Sequence, residues 1–452
     1  MIKGMSVAAT TLGCKVNQAE TDSMLDMLKA AGANIVEFDE KADIYIVNTC
    51  SVTNIADKKS RQMLHRARKM NPDGIVIAAG CYVQSAREIL EQDEAIDIVI
   101  SNNKKKSITE IVNDYINVRN NGKNAPGKDH EAMEYFVDIS RETEYEEMGG
   151  HVPVGHTRAY VKIQDGCNQF CSYCIIPYVR GRIRSRSQEA ILAEVSELAE
   201  AGIKEVVLTG IHISSYGKDK NNEGALIELI EAISKIKGIK RIRLGSLEPG
   251  IITEEFVERI SSNSKVCPHF HLSLQSGCDS VLKRMNRKYT CKQYFEKCDM
   301  LRKAYKSPAL TTDVIVGFPG ETEEEFAETV RYLTELNLYE MHIFKYSPRK
   351  GTVAAAMKEQ VAPEIKNERS DVLLKLAHDN KTAYEAQFEG CELEVLVEEV
   401  VKKDNKTYLR GHTERYMDIL IDVGDISMPE SFVNSFVYVT YTQNGGNLPL
   451  LL

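Results

Sequence analysis

The chain has 452 residues, of which 43% are hydrophobic and 27% are charged, a composition typical of ordinary globular proteins. It contains no run of about 18 apolar residues, which excludes a membrane-spanning helix and a membrane partner. The formal net charge of -9 excludes a global attraction for nucleic acid, so such a partner requires local basic patches. Eleven cysteines and no export signal favour the reducing cytoplasm and metal or redox chemistry over a disulfide framework.

The first part of the chain alternates short apolar runs with amphipathic helical patterns. The runs predict strands at 6–12, 44–49, 75–79 and 96–100, and the helical patterns lie at 18–31, 57–70, 85–91 and 107–116. This alternation is typical of a parallel α/β sheet. We therefore predict an N-terminal parallel-sheet domain over 1–117, followed by a linker over 118–150 that contains turn residues and an acidic stretch.

A second α/β series predicts a core domain over 151–383 that ends with a long polar helix. Its predicted strands are 159–164, 206–209, 242–245, 270–274, 312–316 and 341–346. Six β/α units are fewer than the eight of a closed barrel, so an open (β/α)6 partial barrel is expected. The last part, 384–445, has short alternating segments that predict a small all-β barrel.

Three cysteines, Cys167, Cys171 and Cys174, share one loop with the spacing C-x3-C-x2-C. A four-iron cubane needs four ligands, so three thiolates leave one iron open to a reacting molecule. The alternative is a zinc site, but zinc needs a fourth ligand, and the closest histidine in sequence is His156. Because an aromatic residue, Tyr173, precedes the third cysteine, the loop resembles that of radical S-adenosylmethionine enzymes.

A second set of cysteines, Cys14, Cys50 and Cys81, follows three predicted strands of the N-terminal domain. Parallel strands end at one edge of a sheet, where ligands usually bind, so three loops would bring three thiolates together. The alternative is three unrelated buried cysteines, which are common in cores. Repetition at equivalent strand ends favours a second cluster. The remaining cysteines have no ligand spacing: Cys267, Cys278, Cys291, Cys298 and Cys391.

With both sets present, the chain resembles the methylthiotransferases of the radical S-adenosylmethionine superfamily from about residue 11 to about residue 441. The specific segments are TLGCKVN at 11–17, NTC at 48–50 and GCY at 80–82. The resemblance implies a domain with an auxiliary 4Fe-4S cluster, a radical core with a second 4Fe-4S cluster, and a TRAM barrel. Segments 162–167 and 269–290 are most similar to the MtaB-type subgroup, which acts on N6-threonylcarbamoyladenosine beside the tRNA anticodon.

The resemblance implies methylthiolation of C2 of that nucleoside at position 37 of tRNA, with two molecules of S-adenosylmethionine consumed. The six cysteines would be both metal ligands and catalytic residues. Candidates for binding S-adenosylmethionine at strand ends of the core are Tyr173, Gly210, Ser246, Glu248, Gln275 and Asp313. The implied partners are tRNA, an electron-donor protein of the flavodoxin or ferredoxin type, and a sulfur donor. A plain structural role is the alternative for each polar residue, and Thr322 with Glu325 predicts a helix capping box.

Local groups of basic residues support an RNA partner. One group alone would indicate a solvated face, but four groups around two cysteine sets favour a phosphate-binding surface. The groups are Lys58, Lys59, Arg61, Arg66, Arg68 and Lys69; Arg180, Arg182, Arg184 and Arg186; Lys283, Arg284, Arg287 and Lys288; and Lys402, Lys403, Lys406, Arg410 and Arg415. Two alternatives stay open. One is a methylthiotransferase for isopentenyl adenosine in tRNA or for a ribosomal-protein aspartate, and the other is a non-catalytic, metal-dependent RNA-binding protein.

Overall fold

The computed structural model describes residues 2–120, 135–149, 157–404, 406–424, 428–443 and 445–447. Within these ranges the chain forms a five-stranded parallel sheet, an open half-barrel of six parallel strands and a small closed barrel, so the predicted fold class is confirmed. His156 and part of the predicted linker, residues 121–134 and 150, lie outside the described residues. No helix in these ranges is long and apolar enough to cross a bilayer.

The N-terminal domain is a parallel sheet with helices on both faces. Its elements are β1 Ser6–Thr11, α1 Lys15–Ala30, β2 Asn34–Val36, β3 Ile44–Thr49, α2 Asn54–Met70, β4 Ile75–Gly80, α3 Cys81–Ser85, α4 Arg87–Glu91, β5 Ile98–Ile100 and α5 Ile108–Asn120. The strand order is β2-β1-β3-β4-β5. β3 and β4 are buried along their whole length, which explains their continuous apolar sequences. The three-residue edge strand β2 was not predicted because it is too short to carry a pattern.

The core domain follows the predicted β/α alternation. Its elements are β6 Arg158–Asp165, α6 Ile176–Arg180, β7 Arg184–Ser185, α7 Gln188–Glu200, β8 Glu205–Gly210, α8 Ala225–Ser234, β9 Arg241–Leu244, α9 Glu254–Ser261, β10 His269–His271, α10 Asp279–Arg284, α11 Cys291–Ala304, β11 Ala309–Val316, α12 Glu323–Leu336, β12 Glu340–Lys345 and α13 Pro363–Ala386. One sheet has the order β7-β6-β8-β9 and the next β10-β11-β12. Parallel bridges after β9, including Leu247 to Leu272, join the two sheets.

Side chains of the core strands alternate between a packed outer face and a concave inner face. On β12, Met341 and Ile343 pack outward in the main apolar core, whereas His342 and Phe344 are exposed on the other side. β11 shows the same alternation around Asp313, which is only partly buried. The apolar side-chain layers that fill a closed barrel are therefore missing from this face, and the half-barrel keeps an open polar interior.

The C-terminal barrel closes the amino-terminal end of the half-barrel. Its strands are β13 Glu392–Lys403, β14 Lys406–Thr413, β15 Asp418–Asp422, β16 Phe436–Thr442 and β17 Gly445–Asn447, closed in the order β13-β14-β15-β17-β16. Two buried arginines at the start of β9 anchor it. Arg241 donates to the His412 carbonyl at 3.0 Å, and Arg243 donates to the Glu414 carbonyl at 2.9 Å. The barrel is thus an integral cover of the core, because its removal would take away the carbonyl acceptors of two buried guanidinium groups and leave them only Glu205 of β8.

Candidate active site

The first cysteine set lies at the carboxyl edge of the N-terminal sheet, and we call it the auxiliary trio. Cys14 is the N-cap residue of α1, Cys50 directly follows β3, and Cys81 opens α3 directly after β4. β1, β3 and β4 are neighbours in the sheet, so these three turns lie side by side.

A glycine lets two of these thiols approach each other. Gly13 has a φ of +99°, and a Cβ built on it would lie 2.6 Å from the Sγ atom of Cys50. Glycine is therefore required here for both conformation and space. Burial, reinforced by the neighbouring Cys81 and Cys14 thiols, raises the pKa of Cys50 to about 11. The Cys50 thiol keeps its proton at neutral pH until a metal displaces it.

The second set lies in the loop between β6 and α6, and we call it the loop trio. The Cys174 amide donates to the Cys171 carbonyl at 3.0 Å, which gives the loop a tight turn. Gly166 has a φ of +70° and lies so close to the Arg182 carbonyl oxygen that no side chain fits there. Burial raises the pKa of Cys167 to about 11 and that of Cys174 to about 12. Metal binding at this loop must therefore also release protons.

The two trios are neighbours across the interface between the N-terminal domain and the core. Cys81 packs against Ile175, the residue that follows Cys174, and against Val179 of α6. The side chain of Asn102 donates to the Val179 carbonyl at 2.8 Å and ties α6 to the N-terminal domain. The auxiliary trio thus contacts the short helix that follows the loop trio.

Each trio has one arginine that donates to one of its sulfur atoms. Arg180, at the end of α6 and fully buried, donates from Nε to the Cys81 Sγ at 3.2 Å. Arg287 donates from Nη1 to the Cys171 Sγ at 3.1 Å and from Nη2 to Glu248 at 2.8 Å. A donor and a positive charge beside sulfur stabilise the thiolate form, which is the form that binds metals.

Arg180 also belongs to a buried cluster of charges at the same interface, which we call the interface charge cluster. Its members are Glu20 of α1, Lys105, Lys162 and Asp165 of β6, and Arg180. Lys162 Nζ lies 2.7 Å from Glu20 and 2.6 Å from Asp165. Burial alone would raise the pKa of Glu20, but Arg180, Lys105 and Lys162 hold it well below its usual range. The cluster therefore stays ionised and locks the two domains in one arrangement.

The spacing of the sulfur atoms distinguishes between the two metal groups considered for the trios. Tetrahedral zinc with Zn–S bonds of about 2.3 Å places its sulfur ligands about 3.8 Å apart. In the described part of the chain, neither trio brings its three sulfur atoms within 4.8 Å of one another. A cubane tolerates a wider spacing because each thiolate binds a different iron atom. Neither trio therefore has the spacing of a three-thiolate zinc site, and three thiols without a fourth ligand are the donor set of a four-iron cluster with one open iron.

Two family models match the chain, one in each α/β domain. Residues 161–333 match the Radical SAM superfamily, and residues 6–101 match the uncharacterized protein family UPF0004. Threonylcarbamoyladenosine tRNA methylthiotransferase MtaB of Bacillus subtilis is 39% identical over 92% of this chain and 90% of its own length. The protein of that name from Aquifex aeolicus is 37% identical over 92% of this chain and 98% of its own length. The chain belongs to the radical S-adenosylmethionine tRNA methylthiotransferases.

Another similar protein carries a different substrate in its name. The tRNA-2-methylthio-N(6)-dimethylallyladenosine synthase of Thermoanaerobacter pseudethanolicus is 35% identical over 96% of this methylthiotransferase and 90% of its own length. Among solved structures, the radical S-adenosylmethionine methyltransferase TsrM of Kitasatospora setae gives a TM-score of 0.55 at 14% identity, covering 76% of this chain and 77% of that chain. That likeness concerns the fold alone. Membership of the family implies a 4Fe-4S cluster and S-adenosylmethionine.

Two of the six predicted S-adenosylmethionine contacts lie directly beside the loop trio. Tyr173 belongs to the loop, and burial raises its pKa well above 10, so its hydroxyl stays a donor. Glu248 is paired with Arg287 at 2.8 Å, which places it beside Cys171. Burial would raise the pKa of Glu248, but His212 and Arg287 together hold it below its usual value. Glu248 is therefore an anionic acceptor at the edge of the loop trio.

The other four predicted contacts lie at strand ends or on the concave face. Gly210 ends β8, and a Cβ on it would lie 3.0 Å from the Gln164 Oε1, so the backbone is closely packed there. Ser246 is exposed, and Gln275 is buried with a φ of +77°. Asp313 lies in the middle of β11, where its carboxylate is 3.3 Å from the His271 Nε2. Asp313 is thus paired with another strand of the half-barrel and not with the loop trio.

The predicted basic surface is smaller than the sequence suggested. In the group after the loop trio, Arg180, Arg184 and Arg186 are buried, so their assignment to an RNA-facing surface was wrong. Arg284 and Arg287 of the next group pair with acidic side chains of the core. These arginines are withdrawn from the surface for the same reason. Each guanidinium group pairs with a carboxylate that is distant in sequence and close only in the folded chain. Exposed lysines and arginines persist on α2 and on the hairpin between β13 and β14.

Sequence reasoning missed the hydrogen bonds that Arg180 and Arg287 donate to cysteine sulfur atoms. It also missed the whole interface charge cluster. One signal was available in α1. Val16, Glu20 and Met24 follow one another at the four-residue spacing of a helix face, and all three are buried. An acidic residue inside an apolar stripe indicates a buried ion pair. The predicted capping box of Thr322 and Glu325 is present at the start of α12.

Proposed function

We propose that the protein methylthiolates C2 of N6-threonylcarbamoyladenosine at position 37 of tRNA, using two S-adenosylmethionine molecules and two 4Fe-4S clusters. The observation that carries the proposal is the meeting of two three-thiol sites at one domain interface. Transfer of a methylthio group needs a radical source and a sulfur source near the same base, and two such sites meet that requirement. Relatives named for this reaction are 37–39% identical to the chain over about 92% of its length.

In this proposal Cys167, Cys171 and Cys174 hold the radical cluster, and the auxiliary trio holds the second one. When bound, the first cluster supplies the electron that cleaves S-adenosylmethionine to a 5′-deoxyadenosyl radical, and the second supplies sulfur. Arg287 orients Glu248 and neutralises charge beside Cys171. The Glu248 carboxylate would accept from the ammonium or ribose hydroxyl groups of S-adenosylmethionine, with the Tyr173 hydroxyl as a donor nearby.

The interface charge cluster has a separate part in the proposal. It is buried beside Cys81, so it excludes water from the side of the auxiliary trio that faces the core. Its ion pairs also fix the distance between the two trios, because every ion pair to Glu20 from the core crosses the domain interface. A base bound between the two trios would then be held at a fixed position relative to both.

Methylthiolation of dimethylallyladenosine is the second candidate, because a 35% identical relative is named for it. The polar concave face of the half-barrel favours the threonylcarbamoyl group. A site of hydrogen-bonding side chains rejects an apolar analogue, because binding the analogue leaves those polar groups unpaired. Inner-face residues His271, Asp313 and His342 are such groups.

The proposal also includes tRNA phosphate contacts and protein partners. Exposed Lys58 and Lys59 on α2, and Lys402 and Lys403 at the β13–β14 hairpin, would bind phosphates despite the net charge of -9. An electron donor of the flavodoxin or ferredoxin type and a sulfur donor complete the set. All eleven cysteines are free, which suits the reducing cytoplasm where we place the reaction.

The test compares tRNA nucleosides by mass spectrometry in cells that lack the gene and in cells that regain it. We expect the methylthio form of N6-threonylcarbamoyladenosine to disappear and to return with the wild-type gene, whereas a Cys50→Ala gene does not restore it. Iron analysis of the reconstituted protein should give about eight irons per chain. Loss of the methylthio form of dimethylallyladenosine alone would instead establish the second candidate.

A further inference from the structure

Three polar side chains lie together on adjacent strands of the concave face. The ligand atoms of His271 on β10, Asp313 on β11 and His342 on β12 all lie within 4.8 Å of one another. The His271 ring is held in place, because its Nδ1 is 3.0 Å from the Thr311 hydroxyl and its Nε2 is 3.3 Å from Asp313. His342 is the direct strand partner of Asp313. The exposed ring of His342 stacks on the His271 ring with centroids 5.8 Å apart, and within the described residues it has no hydrogen-bond partner.

Three basic side chains lie at the closed end of the half-barrel, and one of them, Arg158, is paired with Glu398 at 3.1 Å. Lys15, Arg158 and Arg243 converge on the ring of Tyr416 at the closed end of the half-barrel, 5.7, 4.9 and 4.8 Å from its centroid. Glu205 offsets part of this charge, because it pairs with Arg243 at 2.8 Å.

The inner-face residue His269 responds to this field. Burial, and then the charges of Arg243 and Lys15, lower the pKa of His269 well below its usual range, and His271 and His342 act in the same direction. At His342 the nearest charge is the Asp313 carboxylate, so a ligand must be received by the exposed imidazole, whose N–H group is a donor for an oxygen acceptor.

The same strand also offers a surface for a base. Phe344 lies two residues after His342 on the concave side of β12, and its side chain is 45% exposed. Proteins that recognise single-stranded RNA often stack an unstacked base on an exposed aromatic ring. An aromatic ring and a free imidazole on one edge strand thus match a nucleoside whose modification ends in a charged group.

We propose that His342, placed beside Asp313 and His271, donates a hydrogen bond to the carboxylate of the N6-threonylcarbamoyl group and selects this nucleoside over the dimethylallyl one. The inference rests on the proposed function, because it needs the modified base inside the half-barrel. Asp313 accepts from the N–H groups or the hydroxyl of the modification, and Phe344 stacks on the base. A charged acceptor makes the stronger kind of hydrogen bond, so the carboxylate is the group on which discrimination depends.

The test uses the reconstituted full chain and one anticodon stem-loop RNA made in three forms. Position 37 carries threonylcarbamoyladenosine, its methyl ester, or dimethylallyladenosine, and the ester removes the charge while it keeps nearly the same shape. The variants are His342→Phe, which removes the donor, and His342→Gln, which keeps an N–H group. His378→Gln on the exposed face of α13 is the matched control. KM and kcat are measured separately from the methylthio nucleoside formed.

We expect His342→Phe to raise KM for the acid RNA by about 10- to 100-fold, because a charge-assisted hydrogen bond is lost. The KM for the ester RNA should change by less than about threefold, the range of a neutral surface substitution. His342→Gln should recover part of the loss, and His378→Gln should behave as the wild type does. The ratio of the KM for the ester RNA to the KM for the acid RNA would then fall sharply only in His342→Phe.

Three results would overturn this inference. An unchanged KM for the acid RNA in His342→Phe would show that the imidazole does not bind the carboxylate. Equal losses with acid and ester would show that His342 supports the fold and not recognition. One zinc per wild-type chain that disappears in His342→Phe would establish a cation site instead. Failure of the proposed function looks different, because the wild type itself would then leave the acid RNA unmodified and methylthiolate the dimethylallyl RNA.

Discussion

The auxiliary trio and the loop trio reach three thiols by opposite routes. The loop trio uses one segment, in which Cys171 and Cys174 are already close in sequence, so a short loop alone determines most of its geometry. The auxiliary trio takes Cys14, Cys50 and Cys81 from three turns of one sheet. Its thiols meet only when β1, β3 and β4 have paired in register. The auxiliary site therefore depends on the folded domain, whereas the loop site depends mainly on local spacing.

The two trios also differ in the origin of the arginine that donates a hydrogen bond to one of their sulfur atoms. Arg287 reaches Cys171 from within the same domain, whereas Arg180 reaches Cys81 from the other domain. The environment of the auxiliary site is consequently completed by domain docking. Docking in turn relies on Glu20, which Arg180 and Lys162 contact across the interface. This comparison predicts that changes at the interface affect one site and spare the other.

The largest effect is expected from Cys171→Ala. Two thiolates hold a cubane poorly, so the loop cluster should be lost and production of 5′-deoxyadenosine from S-adenosylmethionine should stop. The auxiliary trio uses another domain, so about four of the eight expected irons should stay bound. Unaltered 5′-deoxyadenosine formation by the purified variant would contradict the assignment of the loop trio.

Cys50→Ala is the reciprocal experiment. Radical formation should continue, because the loop trio is intact, but the methylthio product should fall below detection. The measurement is 5′-deoxyadenosine and methylthio nucleoside in the same reaction. Cys298→Ala, a change at a buried cysteine of α11 distant in sequence from both trios, is the control and should keep both products. Normal methylthio product from Cys50→Ala would show that Cys50 is only structural.

The next prediction concerns stability and acid sensitivity. Glu20→Gln leaves Lys105 without its counter-charge and removes one of the two carboxylates that Arg180 and Lys162 contact, so the free energy of unfolding at pH 7 should fall by about 3–5 kcal/mol. The pKa of Glu20 is lower in the folded protein than its unfolded value of about 4.3. Its contribution is therefore present above that pH and is lost as pH falls further.

Denaturant melts at several pH values check this expectation. The wild type should lose stability in acid, and Glu20→Gln should lose less over the same range because it has no carboxylate to protonate. Glu231→Gln removes a surface partner of Arg259 and should change the melt very little. Parallel acid curves for wild type and Glu20→Gln would show that another group controls acid unfolding.

The fold class and the six core strands follow from residue types and spacing, because each rests on a periodic pattern, whereas the role of the two cysteine sets as metal ligands stays a prediction from their spacing. The bounds of the two helices after Cys81 do not follow from the sequence. One helix was predicted over 85–91, but the structure has α3 and α4 with Ala86 between them. Contacts between distant segments also escape sequence reasoning. Arg186 belongs to a run of alternating arginines that predicted an RNA surface, yet it pairs with Glu147 and Glu194 in the folded chain. Charge identity is visible in sequence, but charge pairing requires the fold.

The smallest effect, and the sharpest test of the comparison, is expected from Arg180→Lys. Lysine keeps the positive charge in the interface charge cluster but has no Nε donor for Cys81. A hydrogen bond to sulfur stabilises the more negative, reduced cluster, so its loss should lower the midpoint potential. A loss of about 1 kcal/mol corresponds to a shift of about 40 mV for one electron.

Redox titration followed by electron paramagnetic resonance resolves the two clusters in one sample. In Arg180→Lys the auxiliary cluster should shift and the loop cluster should not, whereas Arg287→Lys should give the reverse. Melting curves of each variant show whether its fold is generally loosened. A general loosening would also broaden the resonance signals of both clusters together. Equal shifts at both clusters would mean that the arginines act through overall charge at long range. A shift at only the auxiliary cluster in Arg180→Lys, and at only the loop cluster in Arg287→Lys, would mean that each arginine acts through the single sulfur it contacts. That sulfur belongs to Cys81 for Arg180 and to Cys171 for Arg287.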